Sequence, residues 1–154
     1  MLSHLRCLFT GVLIATSLAG SAQAVKVTPF KPPVVKSTLG KNGNNALITA
    51  DEAKRIIGMP LLIADNSNTA YTIDSYQFLY KRKNVIEDEK TGKKATAFTT
   101  VSDLFKATPL PPVWVNNISG GHLQKDEELY FFDIVVKDAQ GRKFFAPDLR
   151  LKIQ

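Results

Sequence analysis

The chain has 154 residues, of which 44% are hydrophobic and 22% charged, and its formal net charge is +6. This composition is typical of one globular domain and excludes collagen-like, coiled-coil and intrinsically disordered chains. Because it contains a single cysteine, Cys7, and two histidines, His4 and His122, we exclude disulfide scaffolds, Cys/His zinc sites and Cys–His nucleophile pairs.

Residues 1–24 have the pattern of a secretory signal peptide. His4 and Arg6 precede an apolar stretch at residues 7–15, and small residues follow as far as Ala24. The apolar stretch is shorter than the roughly 20 residues that a transmembrane helix requires. We therefore predict cleavage after Ala24 and a periplasmic or secreted mature chain that begins at Val25 and contains no transmembrane segment.

Residues 25–45 form an extended segment in this interpretation, either a linker or an edge strand. Pro29, Pro32 and Pro33 restrict φ and donate no ladder hydrogen bond, which excludes a central strand. A Gly/Asn-rich turn at residues 40–45 ends the segment. The folded domain is then expected to occupy residues 46–154.

One short helix is predicted at the start of that domain. Thr49 followed by Glu52 is a capping-box pattern, and Gly58 and Pro60 end the helix after about two turns.

Every later periodic segment has a period close to two, which indicates β-strands. The predicted strands are residues 70–80, with a β-bulge at Asp74 and Ser75, residues 84–86 and 95–101, which form a hairpin, and residues 113–115, 129–136, 143–145 and 149–153. Residues 129–136 are apolar on both faces except at Asp133, so we expect a central strand covered on both sides. Gly141 closes a turn at residues 138–141, and residues 149–153 have one polar face.

The strand pattern predicts a mostly β fold, specifically an immunoglobulin-like antiparallel β-sandwich with one short helix.

The order of segments also resembles a known family. The matching stretches are the Pro pair at residues 32–33, residues 48–49 (IT), 58–59 (GM), 71–78 (YTIDSYQF), 128–143 (ELYFFDIVVKDAQGRK) and 147–153 (PDLRLKI). Together they resemble the carboxy-terminal domain of the gliding-motility protein GldM and its relative PorM. The resemblance implies an immunoglobulin-like fold at the periplasmic end of a dimeric shaft that serves type IX secretion.

This chain departs from the family pattern in its architecture. It has a predicted cleavable signal where the shaft protein has a transmembrane helix and a coiled region. Residues 125–127 (KDE) stand where the family usually has a glycine. The resemblance therefore implies a stand-alone protein-binding domain and not a motor-coupling shaft.

Two clusters are candidates for chemical sites. The acidic residues 126–128 together with Asp133 match no calcium-loop spacing, so a solvated turn is the preferred interpretation. Ser119 and His122 flank two glycines, but no nucleophile elbow or orienting third group accompanies them, so a loop is preferred to a small hydrolase site. We predict a protein that is not an enzyme and uses no metal or cofactor.

Basic and aromatic residues supply the candidate interaction sites. Lys81, Arg82 and Lys83 follow Tyr76 and Tyr80, and Lys90, Lys93 and Lys94 lie across the predicted hairpin. Nucleic acid is not the expected partner, because the chain is predicted to be exported and the acidic residues 87–89 interrupt the cluster. A solvated turn is preferred, followed by an acidic partner or an anionic membrane surface.

Trp114, next to a proline-rich break, is either a core residue or an interface anchor. Phe30 and Val34 are apolar positions of the extended segment, which must cover an edge of its own chain or of a neighbour.

The function predicted from the sequence is that of an exported, non-enzymatic domain that binds proteins of the cell envelope. The alternative is an adhesin or fimbrial-type subunit that uses residues 25–37 as a donor strand. Exchange of the same segment between two copies would give a homodimer.

Overall fold

The computed structural model describes residues 29–87 and 89–154, and the predicted signal peptide lies outside the described residues. Residues Lys31–Gln154 form the folded unit. Its elements, in chain order, are β1 (Val35–Leu39), β2 (Ala46–Ile48), α1 (Ala50–Ile56), β3 (Leu61–Asp65), β4 (Thr72–Glu87), β5 (Lys94–Phe105), α2 (Pro112–Ser119), β6 (Glu128–Lys137), β7 (Lys143–Phe145) and β8 (Leu149–Ile153).

Most strands belong to a six-stranded sheet of order β2-β8-β6-β4-β5, with β7 paired to β6. β2 runs parallel to β8, and the other pairs are antiparallel. β1 and β3 form a separate antiparallel pair. The predicted mostly β class is confirmed, whereas the immunoglobulin-like connectivity stays a prediction.

β6 is central in the sheet, as the sequence predicts, but only one of its faces is buried. Phe131 and Ile134 are 1% and 0% exposed, whereas Tyr130 and Phe132 on the other face are half-buried. The prediction of full cover on both sides is therefore wrong. Residues of β1, β3 and the two helices join the buried face in a single hydrophobic cluster, and the aromatic pair Tyr130–Phe132 stacks on the open face.

The predicted bulge in β4 is confirmed by register shifts against β6 around Ser75. Asp74 sits at this bulge and forms ion pairs with Lys137 at the end of β6 and with Lys143 at the start of β7. The bulge turns Asp74 toward two cations from neighbouring strands, and these ion pairs join three strands at one end of the sheet.

The two ion pairs predict an acid-dependent contribution to stability. Hydrogen bonds from Lys137 and then Lys143 hold the pKa of Asp74 below its ordinary value of 3.8. Because the folded-state pKa is lowered, the stabilisation is present above pH 3.8 and is lost as the pH falls through the lowered value. Asp74→Asn should lower the melting temperature at neutral pH, and its difference from the unmodified protein should become smaller as the pH is lowered from 3.8 to about 2. An equal difference at both pH values would contradict this assignment.

Of the two hydrogen bonds of the predicted capping box at the start of α1, one is present. The Thr49 hydroxyl accepts a hydrogen bond from the Glu52 backbone N–H at 3.2 Å. The Glu52 carboxylate does not turn back to Thr49 but accepts from the Asn42 side-chain amide at 3.0 Å. Glu52 therefore ties the helix to the turn that precedes β2.

A second helix replaces the strand predicted at residues 113–115. α2 begins at Pro112, and Pro111 is its N-cap residue. The valines flanking Trp114 favour a strand locally, but proline at the first helical position presets the helical φ and needs no N–H partner. Trp114 and Ile118 are four residues apart, so they share one helix face, and Ile118 is fully buried.

β1 changes the interpretation of residues 25–45. Val35 and Leu39 are 5% and 1% exposed, and β1 pairs with β3 along its whole length. The second half of the segment predicted as a linker or an edge strand is therefore a strand of the domain, because its apolar residues alternate and enter the core. A deletion that includes β1 would remove a strand that contributes to the core, so it could not test exchange of the extended segment between two copies.

Candidate protein-binding groove

The end of the β4–β5 hairpin extends beyond the rest of the sheet. β6 begins at Glu128, opposite Lys81, so the later residues of β4 pair with β5 alone among the described strands. We call residues 82–87 and 94–99 the arm. Val85 and Ile86 on the arm are 60% and 58% exposed. The arm therefore presents apolar side chains away from the core.

A groove lies between the arm and α2. It consists of two adjoining cavities of 430 and 330 Å³ that share the residues Tyr80, Val101 and Asn117. The first cavity is also lined by Arg82, Asn84 and Thr99, and the second by Trp114 and Ile118. None of these lining residues is acidic. The groove thus joins an apolar end beside α2 to a polar, cationic end on the arm.

The apolar end has a rigid wall. The Trp114 ring meets Phe78 edge-on, with centroids 5.4 Å apart, and meets Phe105 edge-on at 5.8 Å. Phe78 is fully buried and Phe105 nearly so, whereas Trp114 is half-buried. The sequence predicts that Trp114 is either a core residue or an interface anchor. One part of its ring packs on the core and another lines the groove, so its position is compatible with both.

A buried carboxylate supports the groove from behind. Glu127 is 0% exposed and accepts hydrogen bonds from the Tyr80 hydroxyl at 2.7 Å and from the Lys83 backbone N–H at 2.9 Å. The β4–β6 pairing ends at Lys81 and Glu128, so the Lys83 N–H has no partner on β6 and donates to the Glu127 carboxylate instead. Burial, and then the Glu127 carboxylate, raise the pKa of Tyr80. Glu127 corrects the prediction of a solvated turn over residues 126–128, since its side chain holds Tyr80 in place.

The three basic residues of β4 point to different faces of the sheet. Arg82 faces the groove and is exposed, and it forms no ion pair with any described residue. Lys81, on the opposite face, pairs with Glu128 at 3.2 Å and lies over the Phe98 ring at 4.6 Å. The Lys83 ammonium donates to the Lys125 carbonyl at 3.5 Å. The strand alternation therefore divides the predicted basic patch and leaves Arg82 as the groove's cation.

The other predicted interaction residues are not in the groove. Tyr76 is fully buried, its hydroxyl donates to the Ala107 carbonyl at 3.1 Å, and burial raises its pKa to about 12. As a core residue it cannot serve as a surface contact. Val34 is 76% exposed just before β1, and Phe30 is 37% exposed.

The two clusters considered as chemical sites, Ser119 with His122 and the acidic residues with Asp133, do not form a site in the structure. The Ser119 hydroxyl donates to the Val115 carbonyl at 2.7 Å within α2, and His122 is exposed. Asp133 accepts from the Gln77 side chain at 2.8 Å. Across the part of the chain that the structure describes, no group of acidic, histidine or cysteine residues is arranged to hold a metal ion.

Five residues that line the groove are absent from the sequence-based candidates, namely Asn84, Thr99, Val101, Asn117 and Ile118. The three on the arm and β5 follow from the predicted hairpin, because they share a face with Arg82 and Tyr80. Asn117 and Ile118 have no such signal, since their positions depend on α2 being a helix.

No protein-family model matches this chain, and no curated protein is significantly similar to it in sequence. The likeness to the GldM and PorM domain rests on the residue patterns quoted above. Within residues 29–87 and 89–154, no helix is long and apolar enough to cross a membrane.

Proposed function

We propose that this chain is an exported, non-enzymatic domain that binds a protein of the cell envelope through the groove between the arm and α2. The observation that carries the proposal is the pairing of a rigid apolar wall with Arg82, a cation that no described carboxylate neutralises. Tryptophan and arginine are among the residue types enriched at the positions that contribute most to binding energy in protein interfaces.

The groove determines the chemistry of the segment that fits it. Trp114 and Val101 favour an aliphatic or aromatic side chain at one end. Arg82 favours a carboxylate at the other end, because its guanidinium binds carboxylates through two parallel hydrogen bonds. Asn117 carries an amide that can pair with the backbone of an extended peptide, and Asn84, whose amide N–H donates to the Thr99 hydroxyl at 2.7 Å, offers its side-chain oxygen as an acceptor. The expected ligand is therefore a peptide segment in which an acidic residue lies near a large apolar one.

Selection from a random peptide library tests this chemistry and does not require the partner to be identified first. The chain from Val25 onward should enrich peptides that combine an acidic and a large apolar residue. Arg82→Glu should lose these peptides, whereas Lys36→Glu, on β1, should retain them. Enrichment of the same peptides by Arg82→Glu would contradict the proposal.

The cellular setting follows from the predicted signal peptide and from the resemblance to the GldM and PorM domain. That resemblance supports a role beside a type IX secretion or gliding-type envelope machine, with the domain acting on its own and not as part of a shaft. The strongest candidate partners are envelope proteins with acidic, apolar segments exposed to the periplasm.

Processing tests the export part of the proposal separately. Mass spectrometry of the protein from its native host should find Val25 at the amino terminus, because the small residues ending at Ala24 fit a signal-peptidase site. An intact Met1 in the cytosolic fraction would contradict export.

The adhesin alternative has less support. A donor strand formed by residues 25–37 would have to include Val35 and Ser37, which are buried and paired with β3 of the same chain. A hydrolase is also disfavoured, because the Ser119 hydroxyl is engaged by its own helix.

A further inference from the structure

β5 is an edge strand along its full length. Its 12 residues pair with β4 in one continuous register without a bulge, and no other described strand pairs with it. All of its residues except Ala97 and Phe105 are exposed, including Phe98, Val101 and Leu104 at 44%, 47% and 56%. Soluble proteins usually protect such an edge with proline, bulges or inward-pointing charges, because its free N–H and C=O groups pair readily with another strand. β5 has no proline, and its charged residues are confined to its two ends.

The sequence of β5 is complementary to itself in one antiparallel register. If Phe98 faces Phe98 of a second copy, Thr96 faces Thr100, Ala97 faces Thr99 and Ala95 faces Val101. In the same register Lys93, just before the strand, faces Asp103. Both residues are exposed, and neither forms an ion pair with a described residue. Aromatic pairs and opposite charges across strands each stabilise a ladder.

We infer that two copies of this chain pair through β5 around a two-fold axis at Phe98, which joins their six-stranded sheets into one. The axis is perpendicular to the sheet, since an antiparallel two-fold pair keeps each face of the sheet on the same side. Two Lys93–Asp103 pairs then form, one on each side of the axis. The inference does not depend on the proposed groove function.

This arrangement has a consequence for the groove. Thr99 and Val101 line the groove and belong to β5. In the inferred dimer they lie beside Ala97 and Ala95 of the second copy. Both grooves open on the same side of the joined sheet, so one partner with two suitable segments could bind both at once. Such bivalent binding strengthens attachment without any new contact.

Exchanging the charges of residues 93 and 103 tests the register, because two variants that had merely unfolded would not regain dimerisation when mixed. Lys93→Asp and Asp103→Lys should each weaken dimerisation about tenfold or more, because each places like charges together at both ends. The variant that carries both substitutions should restore dimerisation. A mixture of the two single variants should restore it as well, because in the heterodimer an Asp again faces a Lys at both ends. Sedimentation velocity over a concentration series, with circular dichroism as a folding check, measures each result. Failure of the mixture to dimerise more strongly than either single variant would overturn the inference.

A cysteine at the axis provides a direct check of geometry. The chain from Val25 onward contains no cysteine, so Phe98→Cys introduces a single thiol. It should form a disulfide-linked dimer under mild oxidation. Thr100→Cys lies on the same face, but its two copies would be about 14 Å apart in this register, too far for a disulfide. If the Thr100→Cys variant formed the disulfide-linked dimer and the Phe98→Cys variant did not, the inferred register would be wrong.

Deletion of residues 25–30 separates this dimer from one formed by exchange of the extended segment. Pro29 and Phe30 precede β1 and belong to no described strand, and residues 25–28 lie outside the described residues. The shortened chain should remain dimeric. A monomer with an unchanged circular dichroism spectrum would overturn pairing through β5 and support the exchange model.

Discussion

Phe131→Ala should lower the free energy of unfolding by about 3–5 kcal/mol, one of the two largest effects expected in this protein. The Phe131 side chain is 1% exposed, and its ring lies 4.7 Å from that of Phe78 and 5.8 Å from that of Tyr76. Removing it leaves a cavity where the central strand meets β4. Urea denaturation followed by tryptophan fluorescence measures the change.

The adjacent residue provides a matched control. Phe132 is half-buried on the open face of the same strand and stacks on Tyr130, with ring centroids 5.0 Å apart. Phe132→Ala removes the same atoms but should cost only about 1 kcal/mol. If the two variants were equally destabilised, the assignment of the buried face of β6 would be wrong.

Glu127→Ala should destabilise the domain by about 3 kcal/mol. The substitution removes the acceptor for the buried Tyr80 hydroxyl and for the Lys83 backbone N–H, and alanine cannot replace either hydrogen bond. The same denaturation experiment measures the effect. Because Tyr80 lines the groove, its ring should also lose its fixed position, and peptide binding should weaken.

Glu127→Gln separates the hydrogen bonds from the charge. Its side-chain oxygen can accept from Lys83, and its amide can donate to the Tyr80 oxygen. This variant should therefore lose much less stability than Glu127→Ala. Equal losses in the two variants would contradict the view that hydrogen bonding to Tyr80 and Lys83 at this site matters more than the charge of Glu127.

Local patterns are sufficient where one short segment determines its own structure. Thr49 and Glu52 mark the start of α1, and the change of phase at Asp74 marks the bulge in β4. Gly141 has φ of +78° in the predicted turn after β6, where a residue with a side chain would be strained. In each case, neighbouring residues supply the cap, the phase or the conformation.

Long-range packing accounts for the features that are wrongly predicted. The valines beside Trp114 indicate a strand, but Trp114 and Ile118 contribute to the groove only because α2 packs against β4 and β5. Glu127 lies in an acidic run that is typical of a solvated turn, yet its partners are 44 and 47 residues away in the chain. No pattern within either segment carries information about those contacts.

Part of the groove can be predicted nonetheless. Tyr80 and Arg82 are candidates because an aromatic strand face ends in basic residues, and the period of two places both on one face. The same alternation explains why Lys81 and Lys83 are separated from Arg82. Trp114 is a candidate through its residue type alone, and only the folded structure brings it beside Tyr80.

The most direct test of a protein-binding groove is photo-crosslinking in the native host from two asparagine positions. A photoreactive residue at Asn117, on the groove, should form a discrete adduct with an envelope protein at a segment that combines acidic and large apolar residues. The same residue at Asn68, beside the separate pocket formed by β1 and β3 residues, should not form that adduct. Adding Arg82→Glu to the Asn117 variant should abolish the adduct. An adduct that forms equally from both positions, or that persists with Arg82→Glu, would contradict binding through the groove.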